Sequence, residues 1–248
     1  MFEKIKALFG ARPAAATTQA PTPTPTPAAA AAAAAAAPQA PAPPDEAVRL
    51  LSADDPANPF VFEGYDCAAF ARSMISTTKD PGIAAQFSAG RTDPGSAHIG
   101  QLPAQAVALE CSLAYDAKEP PTEGVLFKAS AMEEKWDIYL YGGRLYFARS
   151  WTAALAFVAE FELGEGRLRI PRVWASAGNE ELAVRQVDYL IKSHLQRRVV
   201  PHPLPADFER DPHRVGLYSF SQYGRVCWFG TFADTLVDRP LKATGTAA

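Results

Sequence analysis

The residues best suited to chemistry lie in one stretch, 135–152, KWDIYLYGGRLYFARSWT. It holds an arginine, two tryptophans, a serine and a threonine at strand spacing. Arg149 closes what reads as an apolar row, where a guanidinium must not be left bare. Such a group can stack on an indole for ~0.5–2 kcal/mol. It can also grip a carboxylate or phosphate through two parallel N–H donors.

Gly142 and Gly143 separate two alternating apolar runs, which predicts a two-residue hairpin turn with positive φ at both central positions. Tyr141 then faces Arg144, Leu140 faces Leu145, Ile138 faces Phe147 and Trp136 faces Arg149. The last three pairs share one face. Glu134 and Trp151 fall on the same face just beyond, and Ser150 points the other way. Two readings follow. In one, Arg149, Trp136 and Glu134 form an internally satisfied cluster, with Glu134 as the carboxylate partner. In the other, Arg149 holds an anion at an open mouth, with Trp151 offering a stacking surface and Thr152 a hydroxyl.

The matched positions Lys135, Trp136, Ile138, Leu145, Tyr146, Phe147, Arg149, Ser150, Trp151 and Thr152 resemble a segment of uncharacterised bacterial proteins, K-W-x-I…L-Y-F-x-R-S-W-T-G. Ala153 stands where that pattern has its final glycine. Chains with a similar segment look associated with ADP-ribose-processing modules. The resemblance therefore implies an enzyme acting on a nucleotide or ADP-ribosyl group as one option, with Arg149 as anion clamp. It covers about 18 of the 248 residues.

Other candidates are dispersed. Cys67, in GYDCAAF, sits near a predicted helix N-terminus, where a thiol pKa can fall. A loop histidine could serve it as base, and His202 (between two prolines) and His213 (after Asp211-Pro212) are read as loop residues. Tyr223 and Arg225 are placed beside a hairpin tip. His194 reads as a histidine at the edge of the core. The four histidines and three cysteines show no metal-ligand spacing, and no P-loop or nucleophile elbow is present. No cofactor or metal is expected.

These residues must be positioned by a fold, and composition bounds it. The chain carries a net charge of −3 with both signs interspersed, so no nucleic-acid footprint is expected. No apolar run reaches the ~20 residues of a membrane span. Residues 11–44 are almost entirely Ala, Pro, Thr and Gln, including ten consecutive alanines, 28–37. Such a segment cannot offset its ordering entropy and is read as a disordered linker. Ahead of it, Phe2, Ile5, Leu8 and Phe9 line one face of a short amphipathic tip, 1–10. That tip is suited to docking on a partner or to weak contact with a membrane surface.

Residues 45–245 are expected to form a single α+β domain. Short helices are predicted at 45–51 and 66–77, then turns at Asp80-Pro81-Gly82 and Asp93-Pro94-Gly95 within a long irregular connection. Strands follow at 107–115, 125–132, 135–141, 144–151, 155–163 and 167–175, with Pro171 implying an edge or a bulge. A long helix starts at an Asn179 N-cap and buries Leu182, Val187, Leu190, Ile191 and Leu195. Residues 215–232 read as a further strand pair. The expected fold is a mostly antiparallel meander of about six to eight strands with that helix packed on it. The function this favours is a non-enzymatic cytoplasmic accessory domain that recognises a protein or an anionic ligand. The nucleotide-processing enzyme and an immunity or inhibitor protein are the alternatives.

Overall fold

The computed structural model describes residues 48–117, 119 and 122–242. The amphipathic tip and the Ala/Pro arm lie outside the described residues. The fold is α+β, with two sheets and four α-helices among the described residues.

Six antiparallel strands form the main sheet in the order β3-β8-β7-β6-β5-β4: β3 Ala106–Asp116, β4 Gly124–Phe127, β5 Trp136–Tyr141, β6 Arg144–Arg149, β7 Leu155–Gly164 and β8 Arg167–Ser176. The β5–β6 register is the one the diglycine predicts, with Trp136 opposite Arg149 and Ile138 opposite Phe147. Gly142 and Gly143 take φ of 55° and 71°, the left-handed pair that a tight hairpin turn needs. Pro171 is not on an edge strand, since β8 is paired on both sides. It sits instead where both registers shift, between Glu110 and Leu113 on β3 and between Glu160 and Glu162 on β7. The missing N–H thus falls at a bulge.

A second sheet joins β1 Arg49–Leu51, β2 Gly64–Asp66, β10 Phe229–Thr231 and β9 His202–Pro203, with β9 and β10 parallel. The described part of 45–51 is therefore a strand and not a helix. Four helices complete the fold: α1 Ala68–Ser73, α2 Pro81–Gly90, α3 Glu180–Leu190 and α4 Pro212–Tyr223. One apolar core runs between the main sheet (Ile138, Leu140, Phe147, Ile170), α3 (Val187, Leu190) and α4 (Val215, Phe220).

Three sequence expectations change here. The predicted helix 66–77 is only six residues long, although Asp66 does accept from the Ala68 N–H at 2.9 Å. Asp80-Pro81 opens α2 instead of making a turn, with Asp80 accepting from Gly82 N–H at 2.8 Å. The first half of the predicted strand pair at 215–232 is α4, and only Phe229–Thr231 is strand. The buried residues of α4, Val215, Gly216, Ser219, Phe220 and Tyr223, keep helical spacing, and Asp211 caps it by accepting from Arg214 N–H at 2.8 Å. In the long helix Val187, Leu190, Ile191 and Leu195 are buried, and Leu182 is half-buried.

The helix α3 widens into a π-helical turn, Ile191–Leu195, closed by Gln196 N–H to Ile191 O at 3.0 Å. Arg198 N–H then reaches back to Lys192 O at 2.9 Å, and Arg197 takes φ of 60°. This is the left-handed C′ position of a helix end that glycine usually fills.

Candidate functional site

The hairpin base meets the C-terminus of α4. Gly224 ends that helix with φ of 64°, and a Cβ there would collide with the Glu133 carbonyl. This close approach brings the last carbonyls of α4 onto β5 and β6. Arg149 donates through Nη1 to Gln222 O at 3.1 Å and through Nη2 to Ser221 O at 2.6 Å. Trp136 donates through Nε1 to the same Gln222 carbonyl at 2.6 Å. The guanidinium lies 4.7 Å from the centroid of the Trp136 ring. Burial lowers Arg149 to about 10, so it stays charged at neutral pH. The negative end of the α4 dipole faces that charge.

Glu134 does not join this cluster. Its carboxylate accepts from the backbone N–H and the hydroxyl of Ser130 instead, which closes the turn before β5. The sequence expectation of an Arg149–Glu134 pair is corrected on that geometry. A local partner four residues away costs less ordering entropy than a diagonal one. The neighbouring motif residues are likewise engaged by main-chain carbonyls. Ser150 Oγ donates to Glu134 O at 2.6 Å, and Trp151 Nε1 donates to Met132 O at 2.7 Å. Lys135 Nζ donates to Met132 O at 2.8 Å and to Ser76 Oγ at 2.7 Å, over the rings of Trp151 and Phe220. Burial first, then the Arg149 charge, lowers Lys135 to about 8. Thr152 is exposed, and its carbonyl accepts from Gln86 at 2.9 Å. The stretch is a clamp that fastens a helix end to a hairpin, and the two Arg149 donors face that helix end.

Cys67 and His202 are brought together, through a residue sequence reasoning passed over. His202 Nε2 is 2.7 Å from Ser219 Oγ, Ser219 lowers the thiol pKa of Cys67 against the larger effect of burial, and that thiol donates to Tyr65 O at 3.6 Å. Cys67, His202 and Ser219 are fully buried. Burial pushes Cys67 up to about 12 and His202 down to about 3. The thiol pKa therefore moves opposite to the direction a nucleophile needs, and His202 lies in β9, not in a loop. The helical spacing that places Ser219 on the inner face of α4 was the available signal. His213 is half-buried in the first turn of α4, 6.2 Å from the Phe70 ring. Tyr223 ends α4 instead of flanking a hairpin tip. It is buried, with its ring 4.8 Å from that of His202, and burial holds its hydroxyl well above the ordinary range. Arg225 pairs with Glu133 at 3.4 Å.

Sequence reasoning also missed an exposed cleft. Val200, Val226 and Tyr189 wall a cavity of about 110 Å³, with Arg197, Arg198 and Trp228 along it. Trp228 is 39 % exposed, yet its indole is fixed by Nε1 donating to Arg225 O at 2.9 Å. Its backbone is held on both sides, by Cys67 N–H at 2.8 Å and Val226 O at 2.8 Å. Arg197 and Arg198 read in the sequence only as cations ending a helix, and Trp228 as part of a strand.

Among the described residues, no group of three or more His, Cys, Asp or Glu is placed to hold a metal ion. No helix among them is long and apolar enough to cross a membrane. None of the family models, curated proteins or solved structures compared with the chain matches it.

Proposed function

We propose that the chain is a non-enzymatic accessory domain that recognises a partner protein through the Trp228 cleft. The observation that carries this reading is a rigidly held, solvent-facing indole beside two arginines. Tryptophan, tyrosine and arginine dominate the energetics of protein interfaces, above all where they line a preformed pocket. The Ala/Pro-rich arm would then act as a tether, with Phe2, Ile5, Leu8 and Phe9 as a second, weaker docking element. Three unpaired cysteines suit a reducing compartment such as the cytoplasm.

The test compares full-length chains. Trp228→Ala is expected to leave the melting temperature within about 2 °C of the parent, as for most surface substitutions. It should abolish chemical cross-linking to proteins that the parent captures in its host cell. A Trp228→Ala chain that captures the same proteins with the same yield would defeat the reading.

A further inference from the structure

We infer that the chain self-associates through the free edge of β3, two copies pairing antiparallel about Cys111 so that their main sheets join into one. This goes beyond recognition at the Trp228 cleft and does not rest on it.

A sheet edge is a row of backbone donors and acceptors ready to pair, and folds usually blunt it with a short strand, lysine, proline or a covering element. The two edges of the main sheet differ in this respect. The edge strand β4 is four residues long, whereas β3 runs for eleven. Among the described residues β3 is paired on one side only, by β8. It contains no proline, lysine or arginine. The register shift against β8 does not interrupt its alternation. Its even-numbered residues from Ala108 to Asp116 are exposed, while Val107, Leu109, Cys111 and Leu113 on the other face are half-buried. Leu109, Cys111 and Leu113 pack against the core yet keep part of their surface in solvent. An added strand would cover that apolar row and pair the free backbone groups at once.

The sequence of the edge selects the occupant. Residues 108–114 read ALECSLA, nearly the same in both directions about Cys111. In a two-fold interface residue i meets j and j meets i, so a strand that pairs with its own copy must match itself when reversed. With Cys111 on the axis, Leu109 meets Leu113 and Ala108 meets Ala114, each side chain facing its own kind across the join. The charges are compatible too. Glu110 is the single charged residue within 108–114. It faces Ser112 of the second copy, and Arg172 of its own chain already holds it at 2.7 Å. An axis one residue earlier would set the two Glu110 carboxylates face to face, where like charges destabilise.

The test is sedimentation of the full-length chain in reducing buffer, which should show a concentration-dependent step from one chain to two. Hydrogen exchange of the 106–116 amides should slow over the same range. The axial residue supplies the variants. Like charges directly opposite one another are destabilising, so Cys111→Lys and Cys111→Glu should each raise the dimer Kd roughly tenfold or more. Mixing the two folded variants should restore pairing, because lysine then faces glutamate. Trp228→Ala should dimerise like the parent. A parent that sediments as a single chain at every concentration would overturn the proposal, and edge amides protected even then would assign the edge to a segment of the same chain. Dimers that survive both charged variants, or that the mixture fails to restore, would overturn the axis at Cys111. If both variants unfold, exchange in the parent decides, and 106–116 amides that do not slow with concentration would overturn the edge as the interface.

Discussion

Two tryptophan–arginine sites lie on either side of one short 3-10 turn, Gly224–Val226. Before it, Trp136 and Arg149 both donate to the end of α4, and the indole is 2 % exposed. After it, Trp228 donates to Arg225 O and keeps 39 % of its surface in solvent, beside Arg197 and Arg198. The residue types are the same, and what differs is the partner each donor has found. At the clamp, the carbonyls freed at a helix terminus take the arginine's terminal donors. At the cleft, the helix end closes on itself through Arg198 N–H and Lys192 O, and Arg198 Nη2 donates to Asp238. Residue type alone therefore does not separate a structural site from a binding site. The accounting of backbone carbonyls does.

The largest way to break this comparison is to remove each arginine. Arg149→Ala leaves two helix-end carbonyls without their charged donor and uncovers the Trp136 ring. Hydrogen bonds to a charged group are worth about 1.5–3 kcal/mol each, so a loss of roughly 3 kcal/mol is expected, or about 6–12 °C in melting temperature for a domain of this size. Arg149→Lys should recover little, because one ammonium cannot match a fork that spans Ser221 O and Gln222 O. Arg197→Ala should cost under about 0.5 kcal/mol, as a surface change. Thermal melts of the three chains decide it. Equal losses for Arg149→Ala and Arg197→Ala would remove the distinction between clamp and cleft.

Acid tests whether the layers beneath the two sites are equally dry. His202 packs against Tyr223 under the clamp, and His194 lies in the π turn under the cleft. Burial holds each imidazole near 3, against an ordinary 6.5. Above pH 6.5 both are neutral whether the chain is folded or not. Below it, the unfolded chain binds a proton at each that the folded chain refuses, so stability falls as pH drops from 6.5 toward 3. The upper limit is about 1.4 kcal/mol per pH unit per histidine, or roughly 2 kcal/mol each between pH 6.5 and 5. Urea midpoints measured across that range should lose a comparable part of their pH slope in His202→Gln and in His194→Gln, the rest including His98, which burial also lowers. If only one substitution flattened the curve, water would reach beneath the other site.

Much of the clamp was legible in the sequence because a diglycine turn sets register locally. Trp136 against Arg149 followed from counting outward in steps of two. The acceptors for Arg149 were not legible, because Ser221 and Gln222 are distant in the chain and lend only their carbonyls, which no side-chain pattern announces. Three of the four Asp-Pro pairs show another limit. Asp93-Pro94 precedes a turn, with Gly95 at φ of 78°, whereas Asp80-Pro81 and Asp211-Pro212 open helices. The dipeptide suits both roles, since proline at the first helical position and proline in a turn need the same φ. In the second helix the periodic burial of Val215, Ser219 and Tyr223 would have decided it, had the aromatic content of 215–232 not suggested strand. The cleft was hidden for a similar reason. Trp228 lies just before β10, where a strand pattern implies burial.

The smallest effect separates the sites most cleanly, because each contains a non-glycine residue at left-handed φ. Ala153, at 54°, closes the turn after the clamp by donating to Arg149 O at 2.8 Å, and Arg197 sits at 60°. Left-handed backbone costs an L-residue roughly 1–2 kcal/mol, and glycine gives back about 0.5–1 kcal/mol of that in chain entropy. Ala153→Gly should raise stability by about 0.5–1 kcal/mol, with binding at the cleft unchanged. Arg197→Gly relieves the same strain but gives up the packing over Phe127, so its melting temperature should move by no more than about 2 °C while affinity at the cleft falls. Calorimetry and cross-linking capture on both chains make the comparison. If Arg197→Gly gained stability and kept full affinity, the arginine at that helix end would have no task in recognition, and the cleft would be as structural as the clamp.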